Sequence, residues 1–242
     1  MEKGKIKPIS LIMIFLVLFI TGCRSRQDIK PSYPLGISSY DDIRPYAFDP
    51  KTILMALDRG DGEIFRPLPD WTNQETIFTP GSFAWQQQDY LKIASALNQV
   101  ANHDNLEGWS VYKISADRDC SDTPVGLDDF SITYFKTVGE RYTTRLIDIQ
   151  PMKKEADWAE SAGYPRPFPF GWKSIDLGKL KVTADMAFQM AEANGGKAAR
   201  QSDQNNCIIS ILLSPNADYP NWGVYYYSVD SRTIFALRLD PY

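Results

Sequence analysis

The feature that most constrains this chain is the apolar run near its start. Lys3, Lys5 and Lys7 precede an unbroken apolar run from Leu11 to Ile20. A helix needs about 20 apolar residues to cross a bilayer, so this run is too short to span one. A basic stretch before a short apolar run is typical of a secretory signal. The sequence therefore predicts that residues 1–22 are removed and that the remainder folds outside the cytoplasm; an uncleaved buried helix is the alternative.

The apolar run ends in Ile20-Thr21-Gly22-Cys23. This pattern resembles the signal peptidase II site of bacterial lipoproteins. The resemblance implies cleavage before Cys23, a diacylglycerol on its sulfur and acylation of its new amino group. Several acyl chains anchor stably, because each buried CH₂ contributes about 0.8 kcal/mol. Residue 24 is arginine rather than aspartate, which favours the outer membrane over the inner one if the cell has two.

The charge of the mature chain argues against nucleic acid as a partner. The whole chain has a net charge of −4, and the leader holds three lysines and one glutamate, so the remainder is near −6. Proteins that bind nucleic acid need a basic surface, which this composition does not predict. Hydrophobic residues make up 43% of the chain, which is ample for a packed core.

Two cysteines remain once Cys23 is acylated, namely Cys120 and Cys207. An even pair in an oxidising compartment predicts one disulfide. Closing so long a loop would add about 4–5 kcal/mol of stability in a chain-entropy treatment. Two separate buried thiols are the alternative, and the spacing does not match a Cys-x-x-Cys redox pair.

Composition and periodicity divide the chain into five segments. They are a signal peptide (1–22), a lipidated proline-containing tether (23–50), a first α+β unit (51–151), a connector rich in proline and aromatic residues (152–182) and a second α+β unit (183–242). In the first unit, Ile53 to Leu57 suggests a short strand. An apolar stripe at helical spacing predicts a helix over 83–102. Alternating residues then predict strands over 109–116, 130–135 and 142–149.

The second unit has the same order of elements. A helix is predicted over 184–194, with Thr183 as its N-cap and Gly195-Gly196 ending it. The continuous apolar run Cys207 to Leu213 predicts a strand covered on both faces. Strands over 222–227 and 233–240 form a closing hairpin.

The predicted fold class is α+β, with two helix-plus-three-strand antiparallel units packed together. The closing hairpins superpose without a gap at an offset of 92 residues, which brings Phe130 onto Trp222, Ile132 onto Val224 and Ile147 onto Leu239. An internal duplication would explain this similarity between the two hairpins. The alternative is that any two amphipathic hairpins look alike.

The second unit weakly resembles the PepSY repeat. The matching segments are Thr183–Ala187, Trp222–Tyr226 and Leu239-Asp240, although the Thr-Gly that follows the aspartate in the family is missing. This resemblance implies an extracytoplasmic binding or inhibitory module without an active site. Residues 83–242 also resemble a group of uncharacterised bacterial lipoproteins, which implies no particular function. The shared features are Trp85 to Ala94, Asn194-Gly195-Gly196 and the closing Asp240-Pro241-Tyr242.

Motifs for catalysis and cofactors are sparse. The single histidine, His103, lies at a predicted helix end, and no Gly-x-Ser-x-Gly or phosphate-binding glycine loop occurs. We therefore predict no enzyme, no cofactor and no metal. Asp117, Asp119 and Asp122 are a candidate calcium loop, but the spacing does not match an EF-hand, so a solvated acidic loop is favoured.

Aromatic residues supply the remaining candidate site. A contact patch is predicted around the connector. Its members are Trp158, Tyr164, Phe168, Phe170 and Trp172. The alternative is that these side chains cap the seam between the two units. The sequence thus favours a non-enzymatic, membrane-anchored binding module, with an envelope protein or a glycan as candidate partner. The second hypothesis is an envelope glycan hydrolase using paired carboxylates.

Overall fold

The computed structural model describes residues 40–61, 63–69, 78–79, 81–120, 126–139, 141–165, 174–214 and 220–242. The predicted signal peptide, Cys23 and the predicted tether up to residue 39 lie outside the described residues. Tyr40–Tyr242 form one compact unit. In the described ranges, no helix is both long and apolar enough to cross a membrane.

The described part of the chain contains a nine-stranded antiparallel sheet. The strands are β1 (Asp42–Ala47), β2 (Arg66–Pro67), β3 (Ser110–Asp119), β4 (Asp129–Val138), β5 (Arg141–Gln150), β6 (Glu155–Pro165), β7 (Cys207–Ser214), β8 (Asn221–Ser228) and β9 (Thr233–Leu239). Their spatial order is β2-β1-β6-β5-β4-β3-β7-β8-β9. The sheet therefore contains two meanders, β3-β4-β5-β6 and β7-β8-β9, joined edge to edge, and β1 and β2 extend it beyond β6.

Helices pack against one face of this sheet. They are α1 (Ile53–Arg59), α2 (Gln87–Asn102), α3 (Ala184–Ala191) and α4 (Lys197–Ser202), with short 3₁₀ turns at Pro151–Lys153 and Leu177–Lys179. The buried stripe of α2 and the small residues of α3 share a single core with inward-facing strand residues. Because side chains alternate across a strand, Ile114, Ala116 and Arg118 of β3 all point to this helix-covered face.

The opposite face of the sheet has a row of polar residues across its middle strands, and we call it the polar face. Ser115, Ser131, Asp148 and Asp157 lie side by side on it, one from each of β3, β4, β5 and β6. The hydroxyls of Ser115 and Ser131 are 2.7 Å apart, which fits this shared orientation.

The predicted fold class, two packed α+β units, is wrong. In the first half four strands rather than three follow α2, in the second half three strands follow α3 and α4, and the strands do not form two separate sheets. β3 pairs with β7 from Ile114 opposite Leu213 to Asp119 opposite Ile208, which joins the halves into one continuous sheet. The reason is that both β3 and β7 have a free edge, and pairing those edges satisfies their backbone groups.

The two hairpin sequences align without a gap, but their strands pair in different registers. Ile132 pairs with Ile147 in the first hairpin, so an offset of 92 would pair Val224 with Leu239. Val224 instead pairs with Leu237. A register shift beside Tyr226 accompanies this two-residue difference.

Four segments differ from the sequence-based expectations. Ile53 to Leu57 lies in helix α1 rather than in a strand. Residues 42–47, assigned to the tether, form β1, and residues 155–165, assigned to the connector, form β6. β7 is not covered on both faces, because its burial alternates and Ile208 is 45% exposed.

The glycine pair after α3 does not end the helical segment. Gly195, at a φ of 112°, leaves helical geometry for one bulged turn, and the chain then resumes as α4. A Cβ on Gly196 would lie 2.6 Å from the Tyr226 hydroxyl. The pair therefore allows a close approach to β8 rather than a stop.

Cys120 and Cys207 lie at disulfide distance, with 5.2 Å between their Cα atoms. Cys120 follows β3 and Cys207 begins β7, and the Cys120 N–H donates to the Cys207 carbonyl. The predicted crosslink would therefore fasten one end of the junction between the two meanders.

Candidate functional site

A cleft of about 280 Å³ opens between α3, the end of β3 and the start of α2. Its volume is just below the roughly 300–1,000 Å³ usual for small-molecule sites. Both apolar and charged side chains line it. The lining residues are Gln86, Arg118, Gly126, Leu127, Asp185, Phe188, Gln189 and Glu192.

Arg118 is the chemically distinctive residue of this cleft. It is only 4% exposed, and its Nε is buried without a hydrogen-bond partner. No described residue forms an ion pair with it, and its guanidinium lies over the Phe188 ring at 4.1 Å. Burial lowers the pKa of Arg118, and the nearby charges of Asp128 and Glu192 offset this only in part. Arg118 is thus a largely desolvated cation whose Nε–H lacks an acceptor.

The wall of the cleft opposite α3 is held close to the segment before α2. The Leu127 N–H donates to the Trp85 carbonyl at 3.0 Å, and the buried Tyr90 hydroxyl donates to the Leu127 carbonyl at 2.7 Å. Gly126 has a φ of 81°, and a Cβ there would lie 2.6 Å from the Trp85 nitrogen. A glycine is therefore required where this wall turns.

The two carboxylates of the cleft differ in their pairing. Glu192 is occupied, because its oxygens accept from Arg200 at 3.0–3.2 Å and from the Tyr226 hydroxyl at 2.8 Å. Asp185 accepts only the Gln87 N–H, at 3.2 Å, among the residues described, and forms no ion pair with them. Arg118 and Asp185 thus lie in the same cleft with opposite charges, and neither forms an ion pair with the other or with another described residue.

A second arginine, Arg145, is buried in a different way. It is 1% exposed. It donates to Asn98 in α2, to Asp104 just after the end of α2 and to Glu160 in β6. Burial alone would raise the pKa of Asp104, but hydrogen bonds from Asn98, the Leu106 N–H and Arg145 lower it to about 2. This cluster is saturated and ties α2 to β5 and β6, so we assign it to the fold.

Trp158 belongs to that cluster rather than to an exposed contact patch. It is 1% exposed, its Nε1 donates to Asn98 at 3.2 Å, and Arg145 lies between its ring and that of Trp109. The prediction of an exposed Trp158 is therefore wrong, because β6 places its ring on the helix-covered face. Tyr164 lies in β6, opposite Tyr142. Phe168, Phe170 and Trp172 fall outside the described residues.

The polar face carries a set of buried acids. Asp148 and Asp157 are opposite each other on β5 and β6, and the Oδ1 of Asp157 is buried without a partner. Burial, Asp148 and Glu155 raise the pKa of Asp157 to about 8. Burial also raises the pKa of Asp148 to about 6, although a hydrogen bond from Gln150 opposes this. These paired carboxylates are both buried and lie away from the cleft.

The three aspartates of the candidate calcium loop do not all lie in one described loop. Asp117 and Asp119 lie within β3, and Asp122 is outside the described residues. In the described ranges, no group of three or more acidic, histidine or cysteine side chains is arranged to hold a metal ion. His103 is exposed and caps the end of α2 in a left-handed conformation.

No protein-family model, curated protein or solved structure matches this chain. The site therefore has to be interpreted from its own geometry.

Sequence reasoning missed the cleft, although one signal for it is present. Ile114, Ala116 and Arg118 share one face of β3, and a cation on an otherwise apolar strand face is unusual. The sequence could not supply the other half of the observation, which is that no carboxylate among the described residues forms an ion pair with this cation.

Proposed function

We propose that this chain is a non-enzymatic, lipid-anchored binding module that holds a small oxyanion-bearing ligand in the cleft beside Arg118. The lipid anchor at Cys23 and the extracytoplasmic location come from the leader pattern. The binding role rests on the cleft.

The observation that carries the proposal is the unpaired, 4% exposed guanidinium of Arg118. Burying a charge without a partner is costly, so a fold keeps one where something else compensates it. A guanidinium presents its N–H donors in a planar fork that suits carboxylate or phosphate oxygens. Phe188 covers one side of the guanidinium, and an oxyanion approaching its edge in the cleft would satisfy the missing bonds.

The test is titration of residues 24–242 with propionate, succinate and inorganic phosphate, followed by amide chemical shifts. We expect shifts centred on Arg118, Leu127 and Gln189. Arg118→Met should weaken binding at least tenfold, because hydrogen bonds to charged groups contribute about 1.5–3 kcal/mol. Arg238→Met, which removes an exposed cation on β9, is the matched control.

The same variant separates a ligand-binding arginine from a structural one. If Arg118 awaits a ligand, Arg118→Met leaves the free energy of unfolding unchanged or raises it by up to about 2 kcal/mol, since an uncompensated charge is removed. Urea unfolding measures this change. A loss of more than about 2 kcal/mol, with no ligand-induced shifts in the wild type, contradicts the proposal.

The anchor is tested by labelling cells with radioactive palmitate. We expect label in the wild type and in Cys120→Ser, and none in Cys23→Ser, because only Cys23 would carry acyl chains. A wild-type protein without label and still bearing Met1 would contradict the proposed anchor.

A further inference from the structure

The cleft has two charges of opposite sign that form no ion pair with the described residues, and this is more specific than a site for a simple anion. Arg118 has no ion pair among the described residues, and Asp185 accepts only the Gln87 N–H from them. Both side chains line the same cavity without bridging it. A ligand that complements such a cavity has to carry an anion and a cation of its own.

We infer that the occupant is a zwitterionic amino acid or short peptide, with its carboxylate on Arg118 and its ammonium group on Asp185. This inference rests on the proposed function and names the ligand class of the same cleft. Glu192 does not compete for the ammonium group, because Arg200 and Tyr226 already use its oxygens.

The remaining lining fits this class of ligand better than a phosphate. The carboxylates of Asp185 and Glu192 would repel a doubly charged phosphate, whereas a carboxylate has only one charge. Gln86 and Gln189 supply side-chain amides that can pair with a peptide group. Phe188 and Leu127 are buried and apolar, so they can contact a hydrophobic side chain of the ligand.

The size of the cleft also limits the ligand. A cavity of about 280 Å³ compares with about 30 Å³ for each water molecule in the liquid. It therefore accommodates a group of amino-acid or dipeptide size, while a longer peptide would place only one end inside.

The experiment compares three ligands that differ only at their ends: glycyl-leucine, N-acetyl-glycyl-leucine and glycyl-leucinamide. The first has both charges, the second lacks the ammonium group and the third lacks the carboxylate. Binding to residues 24–242 is measured by calorimetry and by amide shifts. We expect glycyl-leucine to bind at least tenfold more tightly than either capped peptide, because each cap removes one charge-assisted bond.

Two variants assign each end of the ligand to its residue. Arg118→Met should abolish the preference for glycyl-leucine over its amide and keep the preference over the acetylated peptide. Asp185→Asn should do the reverse, and its side-chain oxygen can still accept the Gln87 N–H. Should Asp185→Asn fail to fold, the three ligands on the wild type still decide the question.

The outcomes separate the two proposals. If the acetylated peptide binds as tightly as glycyl-leucine, the zwitterion inference is overturned and the oxyanion site stands. If no peptide and none of propionate, succinate and phosphate shifts a cleft resonance, both proposals fall.

Discussion

At the scale of single residues, the two buried arginines show opposite ways of carrying a charge inside a protein. Arg145 donates to Asn98, Asp104 and Glu160, so its charge is compensated within the fold. Arg118 is similarly buried but unpaired. The first therefore ties the fold together, and for the second we propose a role in ligand binding.

Asp157 gives a prediction about pH. Its pKa is raised from 3.8 to about 8 in the folded protein, so the unfolded chain ionises first as the pH rises. Its contribution to stability is complete below about pH 4 and is lost as the pH rises toward 8. Asp157→Asn removes this loss, and we expect it to gain about 3–4 kcal/mol relative to the wild type between pH 5 and pH 8, measured by urea unfolding.

Asp61→Asn is the control, since Asp61 is exposed. Its difference from the wild type should stay constant over the same pH range. An Asp157→Asn variant that tracks the wild type in parallel from pH 5 to 8 would show that the carboxyl is ionised in the folded protein.

At the scale of elements, the sequence predicted those with a long periodic pattern. Helix α2, strand β3 and the two hairpins occur close to where the apolar pattern puts them. Helix α1 was missed because five consecutive apolar residues from Ile53 to Leu57 fit a strand as well as a helix. Its termini were the better signal, since Asp49 accepts from the Lys51 N–H and Gly60 ends the helix at a φ of 71°.

Strand β1 was missed for a different reason, which is its proline. Pro45 cannot donate a ladder hydrogen bond and so argues against a central strand. β2 pairs with β1 at Tyr46 and Ala47, and just past the end of β2 the Leu68 N–H donates to the Pro45 carbonyl at 2.9 Å. Only the reciprocal donor is missing at Pro45. The proline is therefore compatible with the sheet at this one position, which local sequence could not reveal.

At the scale of the whole molecule, the fold class depended on one contact that no local pattern encodes. β3 and β7 pair although about 90 residues separate them. Periodicity predicts which face of a strand is buried but not which edges meet. The candidate cleft was hidden for the same reason, because Arg118, Asp185 and Gln86 come together only once the two halves join.

The predicted crosslink between Cys120 and Cys207 would join segments that are 87 residues apart in the sequence. We expect the double variant Cys120→Ser, Cys207→Ser to lose about 4–5 kcal/mol of unfolding free energy, because the open chain gains loop entropy. Urea unfolding with and without reductant measures the change, and only the wild type should respond to reductant. Peptide mapping of exported protein that finds two free thiols would contradict the crosslink.

The position of β1 beside β6 has a consequence for how the protein acquires its structure. Asp42 pairs with Glu160 and Ala47 with Glu155. The partner of the first strand is therefore synthesised more than a hundred residues after that strand. In a polypeptide that emerges amino-terminus first, the backbone groups of β1 would lack their β6 partners until the second half of synthesis is well advanced. Such non-local pairing slows folding, and the interval is when a newly delivered chain is most exposed to aggregation.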